Sequence, residues 1–580
     1  MSRSRLYKRY YAGRPLHLFS VPLWQFRHAS IQTGFARKRF FALVEDRHTP
    51  KAVYNWRLYT TAMVASFAAL LIGYDSAFIG TSFTVPSFMR EFDFDRMTES
   101  HLTFVEENIV TAFQVGVMVG SLVAYPAAHY LGRRLSLVWF SILLMLGSGL
   151  TLGANHARGL TLILAGRTFT GIGVGACCMV TPIYLSEISP PAIRGRICGM
   201  FELFWQIGSV AGFWINYAVS QTMEPSHKQW LLPFGVQLIP AFFLFLGAFF
   251  WLEESPRWLF SKTGCREHAI RNLQWFRQLP ADDSYMIEEV AMIEYAIIRE
   301  GLAESFWHPF RAVVMHKSLQ WRLVLGALLF MLQHGTCANA VVHYSPKLFE
   351  AIGITGTENA LLATGTYSIV KASAAVIWML VLVDRLGRRL LLMLGAAGCS
   401  VSMWIIGIHI FTQKDSSADS TTRVHDTGSI VAVCFFYIWA ILFSTSWSGT
   451  PWIINSEIFS MNTRPLGQTN AAFQYWFWSF LLSRFTPNMF SDMGKNGYGV
   501  FFFFASVMLV SIGLVWLFVP ETKSVPLESM DRLFELKPPK DANDMFYLEN
   551  AVLGQSEVQE VEIVETIVEC VGKETIGEAM

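Results

Sequence analysis

Long apolar runs, each about 20 residues, recur along the chain between clusters of charged residues, proline and glycine. That length carries a helix across the hydrocarbon core of a bilayer. The runs do not alternate as barrel strands do, and backbone groups in lipid must be satisfied within a helix or a closed barrel. The pattern therefore predicts helices over 58–80, 108–129, 135–155, 159–184, 199–221 and 231–252, and again over 322–345, 361–383, 389–412, 429–453, 465–487 and 499–519. The expected fold class is an all-α polytopic membrane protein, with twelve transmembrane helices in two pseudo-symmetric six-helix bundles. Residues 58–252 and 322–519 are the bundles, and 253–321 is a charged central loop with short helices. Residues 1–57 form an N-terminal arm and 520–580 a C-terminal tail.

Composition agrees with this pattern. A chain of 580 residues built as soluble domains would not be 53% hydrophobic and only 15% charged. Lys+Arg number 45 against 44 Asp+Glu, which gives no bulk charge with which to attract nucleic acid. The charges are nevertheless sided. Arg133, Arg134, Arg194, Arg196, Arg385, Arg388, Arg389 and Arg464 lie in alternate inter-span loops, whereas the loop after the first span and the loop holding Asp415, Asp419 and Asp426 are acidic. Because cytoplasmic loops carry the Lys/Arg excess, the basic loops, the central loop and both termini are expected in the cytosol. The first 40 or so residues hold many bases and no acids, as a basic cytosolic arm or an upstream extension would; transit peptides share that bias. The last 25 residues read as an acidic tail.

The eight cysteines form no C-x-x-C pair and no even set in one loop, which excludes a disulfide scaffold or zinc module. No nucleophile, P-loop or dinucleotide pattern points to an enzyme, and no cofactor is called for. The glycine-rich "GIGVG" at 171–175 lies inside a span, where small residues let helices pack closely.

An internal repeat narrows the class. "HYLGRR" at 129–134 and "DRLGRR" at 384–389 occupy the same place in the two halves. So do Glu187 with Arg194 and Glu457 with Arg464, each pair seven residues apart. Parallel halves related by an axis along the membrane normal are an architecture of alternating-access carriers, which bind substrate near the midplane between the halves. A latch is expected on the inner side, built from Arg133, Arg134, Glu187 and Arg194 on one half and Asp384, Arg388, Arg389, Glu457 and Arg464 on the other. At a wet surface such pairs contribute about 0–1 kcal/mol each, so only a network would bias the equilibrium.

"GRTFTGIGVG" (166–175), "TPIYLSEISPPAIRGR" (181–196), "EESPRWL" (253–259) and "PETKSVPLE" (520–528) resemble the fingerprints of the sugar-porter branch of the major facilitator superfamily. The resemblance runs from about residue 42 to 535. Within that branch, "ALVEDRHTPKAVYNWR" (42–57), "WQIGSVAGFWINY" (205–217), "SGTPWIINSEIF" (448–459) and "SRFTPNMF" (483–490) are most similar to the fungal quinate permeases. This implies the major facilitator fold and proton-coupled uptake of quinate, a polyhydroxylated cyclohexane carboxylate. The implied partners are that small molecule, a proton and the bilayer, with a monomer as working unit and the plasma membrane as location.

Ionisable residues within spans are candidates by default, because lipid makes them costly. Asp75 is the expected proton carrier: burial disfavours its charge, a nearby cation favours it, and Arg167 resembles the family's partner arginine. A structural ion pair is the competing reading. For substrate, the resemblance implies Gln206 in the fifth span, Gln333, His334, Asn339 and Tyr344 in the seventh, and Trp452 and Trp476 in the tenth and eleventh. Lys371, deep in the eighth span, suits a substrate carboxylate or else pairs with a buried acid such as Glu202. The chain departs from the family at His129, which replaces an acid, at His343, which replaces a tyrosine, and at Cys337–Ala338, where a glycine lets the family's helix bend. A proton symporter for a neutral monosaccharide or polyol is the alternative, and a non-transporting receptor on the same fold a more distant one.

Overall fold

The computed structural model of the chain describes residues 49–542, apart from 84, 157–158, 191–192, 263–264, 301–305, 339–356, 413–426, 461, 495–496, 524–529 and 536–541. All regular structure among these residues is helical. The first half comprises α1 (Trp56–Ser82), α2 (Glu99–Tyr130), α3 (Arg133–Leu152), α4 (Thr161–Ile188), α5 (Arg194–Thr222) and α6, in two pieces (His227–Val236 and Leu238–Phe250). The second comprises α7 (Lys317–His334), α8 (Thr357–Ile377, continuing through a π-helical turn Trp378–Leu382 and Val383–Arg385), α9 (Arg388–Thr412), α10 (Thr427–Ser444 and Thr450–Glu457), α11 (Arg464–Asp492) and α12 (Tyr498–Phe518). Helix thus occupies each of the twelve expected runs, with breaks after His334 and over 445–449. Between the halves lie the short helices Pro256–Ser261, Arg266–Arg277, Ser284–Glu300 and His308–Met315.

Eight helices in the described residues are long and apolar enough to cross a membrane: those at α1–α4, α6, α8, α9 and α12. The remaining four depart for a physical reason. α5 carries Glu202, Gln206 and Asn216, and α11 carries Gln468, Asn470, Gln474 and Ser479, while α7 ends at His334 and α10 is interrupted over 445–449. Polar side chains and broken backbone are tolerated at membrane depth where they are enclosed by protein or face a cavity. On the apolar helices, outward residues such as Phe249 and Phe250 of α6, Val401, Ile408 and Phe411 of α9, and Leu509 and Val510 of α12 are exposed, as a lipid-facing surface requires.

Two crossed pairings join the halves: α2 packs on α11, and α5 packs on α8. These are the same pairing seen twice, since a two-fold relation that takes α2 to α8 also takes α11 to α5. The duplication read from the loops is therefore present in the packing.

Within the first half, helices approach closely through glycine. Gly171 and Gly175 of α4 sit against the backbone of Phe113 and Val117 of α2, and Gly116 and Gly120 of α2 sit against Thr168 and Ile172 of α4. A Cβ at any of these positions overlaps a carbonyl of the facing helix. Gly120→Val is expected to cost about 1–3 kcal/mol through overpacking, read as a lowered thermal midpoint of the purified protein. Gly149→Ala, which meets open space, is expected to leave the midpoint in place.

Candidate functional site

Between the two halves lies a cavity bounded by α1, α5, α7, α8, α10 and α11. Its lining includes Ser76, Glu202, Trp205, Gln206, Gln333, Lys371, Phe443, Ser448, Trp452, Tyr475 and Trp476. Five of the expected substrate residues, Gln206, Gln333, Lys371, Trp452 and Trp476, are thereby brought to one space. They converge because each polar helix turns its polar stripe inward and the break in α10 places Ser448 between α5 and α7.

The amides are fixed across the halves. Gln206 Nε2 donates to Glu202 Oε1 and, at 3.3 Å, to Ser448 Oγ. Ser448 Oγ donates to the same Glu202 oxygen at 2.5 Å, and Gln333 Nε2 donates to the Ser448 carbonyl at 2.9 Å. Trp205, Tyr475 and Trp476 form an aromatic wall, with Trp205 and Trp476 stacked at 6.2 Å and Tyr475 lying 5.3 Å from Trp452. The Lys371 ammonium lies 5.4 Å from the Phe443 ring centre. Sequence reasoning passed over Tyr475, Trp205 and Ser448. The signal was present in the polar face of α11 and in the "STSWSG" break of α10.

His334 stands one layer back. It is buried, its Nδ1 lies 2.9 Å from the Phe330 carbonyl, and its ring packs on Tyr475 at 4.6 Å, so it supports the wall instead of lining the cavity. Asn339, His343 and Tyr344 lie outside the described residues. Cys337, where the sequence departs from a family glycine, has φ of 73°, a left-handed conformation. The helix break is therefore retained, with a strained cysteine where a glycine adopts that backbone freely.

Asp75 and Arg167 meet inside the first half. Arg167 Nη1 donates to Asp75 Oδ1 at 2.6 Å, both side chains are buried, and the guanidinium lies 4.5 Å from the Phe113 ring centre. Asp75 Oδ2 accepts no hydrogen bond among the described residues.

The basic loops are organised around buried ion pairs. Arg133 pairs with Glu187 through Nη2 at 2.7 Å and Nε at 3.0 Å, and Arg388 pairs with Glu457 at 3.1 Å. Each pair lies within one half and is buried, with side-chain exposures of 4–8%. Each double-arginine loop is thereby tied to the end of its own half's fourth helix. Arg134 donates to the Ala248 and Phe249 carbonyls at the end of α6, and Arg389 donates to Trp516 near the end of α12, so both cap a helix C-terminus. Arg464, also buried, donates to the Phe459 carbonyl at 3.2 Å. Arg194 opens α5. The side chain of Asp384 lies outside the described set.

Two carboxylates the sequence reading missed complete these corners. Glu254 accepts from the backbone N–H groups of Arg133 and Arg134 at 2.9 and 3.1 Å, and Glu521 from those of Arg388 and Arg389 at 2.8 and 3.0 Å. The approach requires Gly132 and Gly387, whose φ values are 90° and 82°. Burial pushes the Glu254 carboxyl up from the ordinary carboxylate range, while the N–H groups of Ser255, Arg133 and Arg134 and the Arg133 charge pull it back. The signal was a glutamate soon after the last helix of each half, in "EESPRWL" and "PETKS". At the opposite end, Arg484 of α11 pairs with Glu107 of α2, and Gln114 donates to Ser483 at 2.9 Å and Ser479 at 3.1 Å, again across the halves.

The family profile described as "Sugar (and other) transporter" matches residues 61–534. The chain belongs to this transporter family. It is a multi-pass membrane carrier, not an enzyme. It is 50% identical over 511 residues to the quinate permease of Neurospora terricola, covering 88% of this chain and 94% of that one. It is 52% identical over 499 residues to a probable quinate permease of Aspergillus clavatus, covering 86% and 91%. Among solved structures, the carrier's fold is similar to that of the proton:xylose symporter XylE bound to 6-bromo-6-deoxy-D-glucose, with a TM-score of 0.71 at 24% identity over 82% of this chain and 99% of that one. The inward-open form of XylE from E. coli gives 0.61 at 23%, with coverage of 82% and 99%.

Cys337→Gly is expected to keep the thermal stability of the carrier, as relief of strain offsets lost packing. Cys337→Val, β-branched at positive φ, is expected to lose about 1–3 kcal/mol, read by the same thermal unfolding measurement.

Proposed function

We propose that the carrier imports quinate, or a closely related polyhydroxylated carboxylate, together with protons by alternating access. The observation that carries this reading is the cavity lining: amide and hydroxyl hydrogen-bonding groups, tryptophan faces and a lysine in one enclosed space, in a chain half identical to quinate permeases over most of its length. A ring bearing several hydroxyls and one carboxylate needs donors and acceptors from several helices, an apolar face and a cation. Gln206, Gln333, Trp452, Trp476 and Lys371 supply these from both halves, so substrate bridges the two bundles. Asp75 carries the proton, with Arg167 as its release partner: the carboxylate stays paired while charged, and its second oxygen receives the proton.

The inner corners act as the switch. With Arg133–Glu187 and Arg388–Glu457 buried inside each half, the bundles move as rigid bodies, and the inner side closes where Arg194, Glu457 and Arg464 gather between them. In this reading this end and both termini face the cytosol, which the basic loops support, and the carrier works at the plasma membrane as a monomer, which a cavity within one chain supports. The second reading, a neutral monosaccharide or polyol as substrate, is favoured by one observation: Glu202, an acid, lines the same cavity as Lys371.

In purified vesicles, counterflow of labelled quinate driven by internal quinate is expected, with glucose and a polyol ineffective; counterflow with glucose but not quinate establishes the second reading instead. Asp75→Asn is expected to keep counterflow and lose accumulation against a gradient, and intact accumulation removes Asp75 from proton coupling. Glu457→Gln is expected to reach the membrane but reduce uptake about tenfold or more, since removal of one partner of a buried pair costs roughly 3–5 kcal/mol and about 1.4 kcal/mol already shifts a population tenfold. Full uptake per molecule at the surface contradicts the switch.

A further inference from the structure

The cavity holds an acid and a base from opposite halves. Glu202 comes from α5 in the first and Lys371 from α8 in the second, and both are nine-tenths or more buried while lining the same space. Lys371 does not reach the Asp75–Arg167 pair, which is closed upon itself. The groups facing Glu202 can be named. From α8 Lys371, and from α11 Tyr475, line the same cavity. From the break in α10 Glu202 meets the neutral Ser448 hydroxyl, and from its own helix Gln206. Asp75 of α1 is engaged by Arg167, and among the described residues neither α4 nor α6 sends a titratable group into the lining.

We propose that Glu202 is the resident counter-ion of Lys371, that the substrate carboxylate takes over this role, and that the carrier binds the anion with Glu202 protonated. This rests on the reading of the cavity as a site for a polyhydroxylated carboxylate. The physical reason is the charge count of a small desolvated space. One ammonium compensates one carboxylate there, and a second carboxylate is repelled unless the first is neutralised. The geometry allows that neutralisation without rebuilding the site. Gln206 and Ser448 both donate to Oε1 of Glu202, so a proton on Oε2 leaves both hydrogen bonds in place. Glu202 is then a second proton site, distinct from Asp75 and tied to the charge of the substrate. Because the Glu202–Ser448 contact joins the halves, exchange of the counter-ion also alters how they are held together. A neutral polyol, which asks nothing of Lys371, binds with Glu202 left charged.

The test is quinate binding by the purified full-length carrier in lipid nanodiscs, followed by tryptophan fluorescence from pH 5 to 8. Asp75→Asn is the background, so that only the second proton site titrates. The expected result is affinity for quinate that strengthens as pH falls, by up to about tenfold per unit, with affinity for a neutral cyclohexane polyol flat. Adding Glu202→Gln is expected to flatten the quinate profile at its tight, low-pH level. An independent readout needs no substitution at Glu202: in weakly buffered solution, the Asp75→Asn carrier is expected to take up about one proton per quinate bound at the upper end of the range, and none with the polyol. An unchanged slope after Glu202→Gln, or quinate binding without proton uptake, overturns the proposal while leaving the quinate reading standing. Failure of the wild-type carrier to bind quinate while it binds glucose or the polyol overturns that parent reading, and this proposal with it.

Discussion

A charge placed inside a bilayer must be compensated there, because neither lipid nor a packed helix bundle replaces the water it gave up. That constraint organises this molecule. Among the described residues, Asp75 and Arg167 meet at 2.6 Å in the first half, Arg133 and Glu187 at 2.7 Å at its basic-loop end, and Arg388 and Glu457 at 3.1 Å at the basic-loop end of the second. In each pair one partner leaves the other stranded if it moves alone. Each therefore travels with its own bundle, which makes the two halves stiff and leaves the space between them as the place where change is cheap.

The charges that do bridge the halves are of a different kind. Glu107 meets Arg484 at one end, and in the middle Glu202 of one half and Lys371 of the other line the same cavity. Contacts between bundles have to form and dissolve in an alternating-access cycle. Near an aqueous boundary or a polar cavity, a proton, a substrate or water stands ready to take the place of the lost partner. The strong pairs hold each half together and the exchangeable ones hold the halves to each other. The duplication supplies this arrangement twice, from α2–α11 to α5–α8 and from the Glu254 corner to the Glu521 corner.

Much of this was legible in the sequence because hydrophobic length and repeated loop motifs are local signals. The twelve apolar runs, the glycines of "GIGVG" as packing residues, and the paired "LGRR" loops each follow from a few adjacent residues. The direction of the inner pairs was not legible. Arg133 and Glu187 are 54 residues apart, and a repeated spacing states that two groups recur without stating which copy each one meets. Tyr475 and Ser448 were missed because an aromatic or hydroxyl residue in a span is usually packing, and only the convergence of α5, α7, α10 and α11 gives these a cavity. His334 was drawn into the site by its neighbour Gln333, although one residue along a helix turns a side chain by about 100° away from the cavity.

The central claim is that entry of substrate and entry of protons are one event, enforced by buried carboxylates that cannot stay both charged and unpartnered. The most direct measurement is the pH of a weakly buffered suspension of sealed vesicles containing the carrier, recorded as quinate is added outside with no ion gradient imposed. The account predicts that the outer solution turns alkaline as quinate enters, at the rate at which labelled quinate appears inside, with no such change when a protonophore is present. Quinate that enters at full rate while the external pH stays constant would contradict it.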